Sequence, residues 1–282
     1  MKQILLSALI IALAFPIGAQ SKIKGNRIVT IEEQSLDYFS KLEVNDKIKL
    51  VLQQGNENSL TLEADENLHD VLEVDVKNSV LALSLNKKIT RSKRFNITLT
   101  VQDLDQITLN DDSEVNVPGE LDVFNMDVVL NNKADLMLDN LKTQFLSLES
   151  NERAKAEIRV RTDSLRVDAK ESSRLKFDVI TKGSAVTYHG SSSVDIEGKT
   201  EGLLLNGADN AAFKGPEFVA DRVEINALDK SDSYVNARES ILIEAKNKAK
   251  VYLFGKPEIS LRVFEDNASL LKRESMTLLE TL

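Results

Sequence analysis

Residues 107–117 read ITLNDDSEVNV, residues 128–138 read VVLNNKADLML, and residues 148–158 read LESNERAKAEI. Each segment contains a short alternating run, three polar residues, one small residue and a second alternating run. Alternation with a period of two places every other side chain on one buried face of a strand. The sequence therefore predicts a repeated unit of strand, polar turn and strand.

The small residue after the polar triplet marks this repeat most clearly. It recurs with spacings of 21, 20, 19, 19, 19, 20, 18 and 19 residues, at Ser113, Ala134, Ala154, Ser173, Ser192, Ala211, Ser231, Ala249 and Ala268. A fixed period near 20 indicates one structural unit that stacks on its neighbours. Stacked copies of an inward bend leave room only for small side chains. The sequence thus predicts an all-β, single-domain parallel β-helix, or β-solenoid, with right-handed coils as the default.

An antiparallel sandwich is the alternative, because it is also built from short strands and polar turns. A sandwich does not require equal turn spacing over nine units, so the solenoid is favoured. We expect regular coils over residues 104–270 and, over residues 20–103, first coils or an N-terminal cap without a clear small column. Residues 271–282 are expected to form a C-terminal cap or tail that covers the open end of the solenoid. The apolar residues of this end are Leu270, Leu271, Met276, Leu278, Leu279 and Leu282.

The N-terminus has the pattern of a secretory signal peptide. Lys2 precedes an apolar run from Ile4 to Phe15, and the small residues Gly18 and Ala19 follow, so we expect cleavage after residue 19. A retained membrane helix is the alternative, but it needs about 18 or more apolar residues. The chain contains no cysteine, which excludes disulfides, thiolate metal sites and a lipoprotein anchor on its own cysteine. We expect a location in the periplasm or on the cell surface, with no integral membrane segment after cleavage.

The charge balance argues against nucleic acid as a partner. The chain has 45 acidic and 36 basic residues, a formal net charge of −9, whereas nucleic-acid binders present basic surfaces. One loop is basic, with Lys87, Lys88, Arg91, Lys93 and Arg94. It is interpreted either as a solvated insertion or as a contact for an anionic surface polymer.

A recognisable series of segments precedes the repeats: FSKLEV at 39–44, VLQQG at 51–55, LTLEADENL at 60–68, VDV at 74–76 and LAL at 81–83. This series resembles the bacterial family called putative auto-transporter adhesin, head GIN domain, and the resemblance spans roughly residues 27–255. The resemblance implies a right-handed parallel β-helix and a surface role. It carries no functional residue onto this chain.

The middle residues of the polar triplets would stack into a column at one edge of the solenoid. Six of them are acidic and are the candidate metal ligands: Asp111, Glu152, Glu171, Asp209, Asp229 and Asp266. Carboxylates stacked about 5 Å apart repel one another, and calcium favours such oxygen clusters. The alternative is that Asp, Asn and Gly stand there because they tolerate left-handed turn conformations.

No catalytic set and no cofactor motif stands out. His69 and His189 are the only histidines, so a metal site or catalytic triad based on histidine is not expected. Some β-helices hydrolyse glycosides, which requires two carboxylates at a set separation. The column neighbours Glu152 and Glu171 are such a pair. The chain has no Trp, four Tyr and ten Phe, most of which we expect in the core, so aromatic sugar platforms are not expected. The sequence predicts a non-enzymatic adhesion or recognition module of the cell envelope with a surface glycan or protein as its partner. A periplasmic scaffold is the alternative, and a polysaccharide-active enzyme is less favoured.

Overall fold

The computed structural model describes residues 21–274. The predicted signal peptide and the predicted cap residues Met276, Leu278, Leu279 and Leu282 lie outside this range. The described chain is a β-solenoid of about nine turns with 67% of its residues in strands. The predicted fold class is therefore confirmed.

The N-terminal strands are β1 (Lys22–Lys24), β2 (Val29–Ser35), β3 (Lys41–Val44), β4 (Lys49–Gln54), β5 (Ser59–Asp65), β6 (Leu72–Lys77), β7 (Val80–Leu85), β8 (Lys88–Arg91) and β9 (Phe95–Val101), with a 3-10 helix at Glu66–Val71. The first regular strands are β10 (Gln106–Leu109), β11 (Glu114–Asp122), β12 (Asn125–Leu130), β13 (Asp135–Lys142), β14 (Phe145–Ser150), β15 (Lys155–Arg161), β16 (Ser164–Ala169), β17 (Arg174–Ile180) and β18 (Gly183–Tyr188). The last strands are β19 (Ser193–Gly207), β20 (Ala212–Ala227), β21 (Asp232–Ala245), β22 (Lys250–Gly255), β23 (Glu258–Phe264) and β24 (Ser269–Lys272).

Two parallel ladders run along the solenoid. The first ladder joins the strands that precede the polar turns, as where Leu109 pairs with Leu130 and Leu130 with Ser150. The second ladder joins the strands that follow the turns, as where Val115 pairs with Leu136. β19, β20 and β21 are long because each continues through the bend between the ladders and serves both. Equivalent residues of successive coils therefore stack directly.

The core is one continuous cluster of inward-facing side chains from Phe39 to Leu253. The small column lines its turn side, and its members from Ser113 to Ala249 are each at most 1% exposed. This confirms the inward bend that the sequence predicted. Tyr188 is fully buried, its hydroxyl lies 2.6 Å from the Ser233 hydroxyl, and burial raises its pKa.

The N-terminal end of the solenoid is covered by antiparallel strands. β7 and β9 stack outside β3 and β4, in parallel. β6 then pairs antiparallel with β7, β5 with β9, and β2 with β5. After β9 the chain enters β10, which pairs with β3 on the side opposite to β7. This detour explains why the 20-residue repeat is not visible before residue 104.

The C-terminal end is open among the described residues. Ile259, Leu261 and Phe264 pair with the buried Ile241, Ile243 and Ala245, so they stand in the core register. They are nevertheless 43%, 52% and 37% exposed, because no described strand stacks beyond them. The C-terminal cap remains a prediction.

Two serines of the small column offer a matched test of the core. The Ser231 hydroxyl donates to the Leu228 carbonyl at 2.8 Å, whereas the buried Ser173 hydroxyl has no partner within the described chain. We expect Ser231→Ala to lower the free energy of unfolding by about 1 kcal/mol. Ser173→Ala is expected to leave it unchanged or to raise it slightly, because an unpaired buried hydroxyl is removed. Urea denaturation of both variants checks this, and equal losses would contradict it.

Candidate functional site

Two surfaces of the solenoid collect polar side chains. The turn edge is the stack of polar triplets and includes the acidic candidates. The corner groove lies at the opposite end of the second-ladder strands, where Thr143, Thr162, Thr181 and Thr200 stack.

The middle residue of every turn adopts the left-handed conformation. The φ angles are 61° at Asp111, 60° at Asn132, 57° at Glu152 and 59° at Asp209. Glu171, Asp229, Asn247 and Asp266 also have positive φ, and Gly190 has 75°. Each turn is closed by a hydrogen bond from the small residue to the first triplet residue, such as Ala134 N to Asn131 O at 3.1 Å. Left-handed geometry thus accounts for the preference for Asp, Asn and Gly in this column.

Carboxylates of the middle column bond to the backbone of the adjacent coil. Asp209 Oδ2 accepts from the Gly190 N–H at 2.9 Å, and Asp111 Oδ2 accepts from the Asp46 N–H at 3.1 Å. The Asn132 side-chain oxygen takes the same role toward the Asp111 N–H. The parallel ladder pairs the N–H of the first and third triplet residues with backbone carbonyls, as at Asn131 and Lys133. In these turns the side chains therefore complete the ladder at the middle position.

The third column of the turns supplies cations beside these acids. Lys133, Arg153, Lys230 and Lys248 occupy it. Lys133 Nζ lies 3.4 Å from Asp112, and Lys47 lies 2.7 Å from the same carboxylate. These lysines hold the pKa of Asp112 below its ordinary value. The edge is therefore a mixed-charge surface.

The first column contains an asparagine ladder that the sequence analysis missed. Asn45, Asn110, Asn131 and Asn151 bond side chain to side chain at 2.8 to 2.9 Å. Asparagine at the first triplet position of three consecutive repeats was a visible signal for it. The two inner amides, Asn110 and Asn131, each donate to one neighbour and accept from the other, so the ladder fixes the register of the turns.

The acidic candidates are brought together only in part. Asp111, Glu152 and Glu171 line one cavity of about 600 Å³, Asp209 and Asp229 lie further along the stack, and Asp266 lies in the last turn. Across residues 21–274, no three His, Cys, Asp or Glu side chains converge as metal ligands. Calcium binding at this edge stays a prediction.

The corner groove is the larger cavity, with a volume of about 990 Å³. Its floor is the threonine column, whose hydroxyls lie within hydrogen-bonding distance of two carbonyl oxygens each. Thr162 Oγ1 is 2.9 Å from Gln144 O and 3.0 Å from Ser164 O, and Thr181 and Thr200 repeat this arrangement. These threonines are each 19 residues apart in the sequence, a spacing that predicts a stacked column.

Charged side chains from successive coils form the walls of the groove. Lys182 bonds Asp163 at 2.8 Å, which raises the pKa of Lys182, and Arg238 bonds Asp221 at 2.6 Å. Arg161 and Lys199 also line the groove and are exposed. Neither forms an ion pair within 4 Å in the described part of the chain. The groove therefore offers cations that the protein itself leaves available.

Two exposed phenylalanines lie next to Thr143, although the sequence predicts that most phenylalanines are in the core. Phe124 and Phe145 are 63% and 53% exposed. Both flank Thr143, whose hydroxyl lies 3.0 Å and 3.2 Å from their carbonyl oxygens. Only Phe39, Phe177, Phe213 and Phe218 are fully buried among the described phenylalanines. Phe124 lies in the bend between β11 and β12, and Phe145 is the first residue of β14, at an outward position of its alternation.

The two histidines are far apart in the fold. His69 contacts Thr30 and Glu32 at the N-terminal end, whereas His189 lies 3.8 Å from Asp168 in a regular turn. In the described range, no helix is long and apolar enough to cross a membrane.

Asp209 separates the structural and ion-binding explanations of the acidic column. We expect Asp209→Ala to lower the free energy of unfolding by about 1–2 kcal/mol, because alanine cannot accept from the Gly190 N–H and disfavours left-handed φ. Asp209→Asn is expected to be nearly neutral, because the amide oxygen still accepts. Denaturant curves measure both.

A calcium titration followed by calorimetry and melting curves provides the complementary measurement. Structural carboxylates predict neither heat nor a shift in Tm. Heat together with a calcium-dependent rise in Tm, both lost in Asp209→Asn, would establish an ion site.

A family model described as putative auto-transporter adhesin, head GIN domain, matches residues 38–176 and 144–257. No curated protein sequence matches the chain.

Three solved structures share the fold. A putative adhesin from Parabacteroides distasonis is 15% identical with a TM-score of 0.68, over 90% of this chain and 100% of that chain. A putative adhesin from Parabacteroides merdae is 12% identical with a TM-score of 0.58, over 90% and 99%. A putative lipid binding protein from Parabacteroides distasonis is 15% identical with a TM-score of 0.58, over 89% and 97%. The two segments of the family match together span most of the chain, and this chain belongs to the putative auto-transporter adhesin, head GIN domain, family.

Proposed function

We propose that this protein is a non-enzymatic adhesion or recognition module of the cell envelope that binds a surface glycan or protein through the corner groove. The observation that carries the proposal is the groove itself, which the exposed cations Arg161 and Lys199 line together with the threonine column. Exposed Phe124 and Phe145 lie next to Thr143 of that column. Membership of an adhesin family supports a surface role.

The chemical character of the groove suits recognition. Phe124 and Phe145 provide flat, exposed apolar surface against which a partner can pack. Arg161 and Lys199 can donate hydrogen bonds to a partner without first breaking an ion pair. The floor threonines are held by backbone carbonyls, so the groove is organised before a partner arrives.

The way the solenoid distributes its polar groups supports a role without catalysis. Catalysis requires an acid, a base or a nucleophile that converge on one reacting atom. The stacked coils instead repeat similar side chains along an edge. A screen for reducing sugars and unsaturated products across envelope and dietary glycans tests this, and release of either product would contradict it.

A periplasmic scaffold is the competing role and differs in exposure. Protease treatment of intact cells is expected to remove a surface adhesin and to spare a periplasmic scaffold. Export through the predicted signal peptide is part of this proposal, and the N-terminal sequence of the mature protein tests it.

The groove is tested with a glycan and matrix-protein binding array. We expect Arg161→Ala/Lys199→Ala to lose binding of the array partner at least about tenfold, because two charge-assisted hydrogen bonds are removed. The control Lys155→Ala/Lys214→Ala removes two exposed cations from the outer face of the second ladder and is expected to bind normally. Equal binding by the groove variant and the control would rule out the groove as the recognition surface.

A further inference from the structure

The basic loop is joined in space by a second basic segment. β1 pairs in parallel with β8, with Lys22 opposite Lys88 and Lys24 opposite Arg91. The Lys88 N–H donates to the Ser21 carbonyl at 2.9 Å. The two segments together form the basic end, with the side chains of Lys22, Lys24, Arg27, Lys87, Lys88, Arg91, Lys93 and Arg94.

The pairing directs these cations outward. Ile23 and Ile89 are opposite each other and pack against the core. Because side chains alternate along a strand, Lys22, Lys24 and Lys88 project from the other face of the two-stranded sheet. All eight basic residues are exposed.

The basic end is a concentrated charge in an acidic protein. Residues 22–28 and 86–97 contain these eight basic residues and no acidic residue, so the rest of the chain carries −17. Within residues 21–274, none of the eight side chains forms an ion pair within 4 Å. Like charges held together in this way repel one another, and an anionic ligand would relieve that repulsion.

One buried carboxylate holds the two basic segments together. Asp65 is 0% exposed, and its oxygens accept from the backbone N–H groups of Lys93, Arg94 and Arg27, each at 3.1 Å. Burial alone would raise the pKa of Asp65, but these N–H donors lower it below its ordinary value. The charged carboxylate therefore fixes the backbone under Arg27 on one segment and under Lys93 and Arg94 on the other.

Gly25 allows the close approach on which this arrangement depends. A Cβ at position 25 would stand 1.9 Å from Asp65 Oδ2. The Gly25 N–H also donates to the Arg91 carbonyl at 2.8 Å. Because Asp65 is buried and bonded on both oxygens, it cannot move aside, and any larger residue would push β1 away.

We propose that the basic end binds an anionic polysaccharide, a polymer that carries sulfate, phosphate or carboxylate groups. The cations form an array on two adjacent strands, about 7 Å apart along a strand and about 5 Å apart across the pair. Such an array can contact several anionic groups of one polymer at once. The residues of the basic end are separate from those of the corner groove, so either binding proposal can be wrong without the other.

A bilayer of anionic lipid is the competing partner, because polybasic clusters also bind such surfaces. The cationic face itself favours the polymer. Its side chains are charged or polar, and the apolar side chains of the same two strands point into the protein. Ile28 is the exposed apolar residue beside Arg27, and for this reason vesicles form the second arm of the experiment.

The experiment measures binding of the purified protein to heparin, to neutral dextran, and to vesicles of phosphatidylcholine with and without phosphatidylglycerol. We expect heparin binding that weakens with salt, and no dextran binding. Lys22→Glu/Lys88→Glu is expected to weaken heparin binding by at least about 30-fold. The control Lys230→Glu/Lys250→Glu makes the same charge change on the turn edge and second ladder and is expected to bind normally.

Gly25→Ala tests the geometry without changing any charge. We expect it to weaken heparin binding while circular dichroism and the main melting transition of the solenoid are retained. No heparin binding, equal losses in the Lys22/Lys88 variant and its control, or binding to anionic vesicles alone would each overturn the proposal. The Arg161→Ala/Lys199→Ala variant is expected to bind heparin normally, which separates this result from that for the groove.

Discussion

The structure depends on the hydrogen-bonded ladder that joins each coil to the next, which side chains extend through several of the polar turns. A parallel solenoid pairs each coil with the next at about 5 Å, and a buried backbone group without a partner costs free energy. Each turn bends at a middle residue with left-handed φ, and at Asp111 and Gly190 the N–H of that residue is bonded by a side chain of the adjacent coil. The Asp209 side chain accepts from the Gly190 N–H, and the Asn132 side chain accepts from the Asp111 N–H. Short Asp and Asn side chains serve both needs at once, since they tolerate positive φ and can accept from the adjacent coil.

The small column and the turn spacing could be predicted from the sequence because they are strictly local consequences of stacking. Ser173 and Ala154 are small because each stacks on the equivalent small residues of the adjacent coils at an inward bend. This steric requirement recurs in every coil. The left-handed turn could also be proposed as one of two explanations for the acidic column. The bond from Asp209 to the adjacent coil was not visible, because residue type does not reveal which N–H the ladder leaves unpaired.

The surfaces were harder to predict because they depend on neighbours distant in sequence. Lys22 and Lys88 are 66 residues apart and meet only because the chain makes a detour at the N-terminal end. Phe124 is exposed because it lies at the bend between two strands, where alternation does not determine the side. The threonine column could have been found from its spacing of 19 residues. The groove above it could not, since its shape comes from the way successive coils stack.

The two ends of the solenoid differ in how the described residues cover them. At the N-terminal end the antiparallel strands β5 and β6 pair with the outermost coil, so the exposed strand edge, which could otherwise pair with another chain, is covered. The detour that supplies these strands also returns β8 to β1, which gathers the basic residues at that end. At the other end, Ile259 and Leu261 keep the core register and remain exposed among the described residues. Covering an end of a solenoid therefore requires chain that leaves the repeat, and in this protein the chain that leaves the repeat also gathers the residues of the basic end.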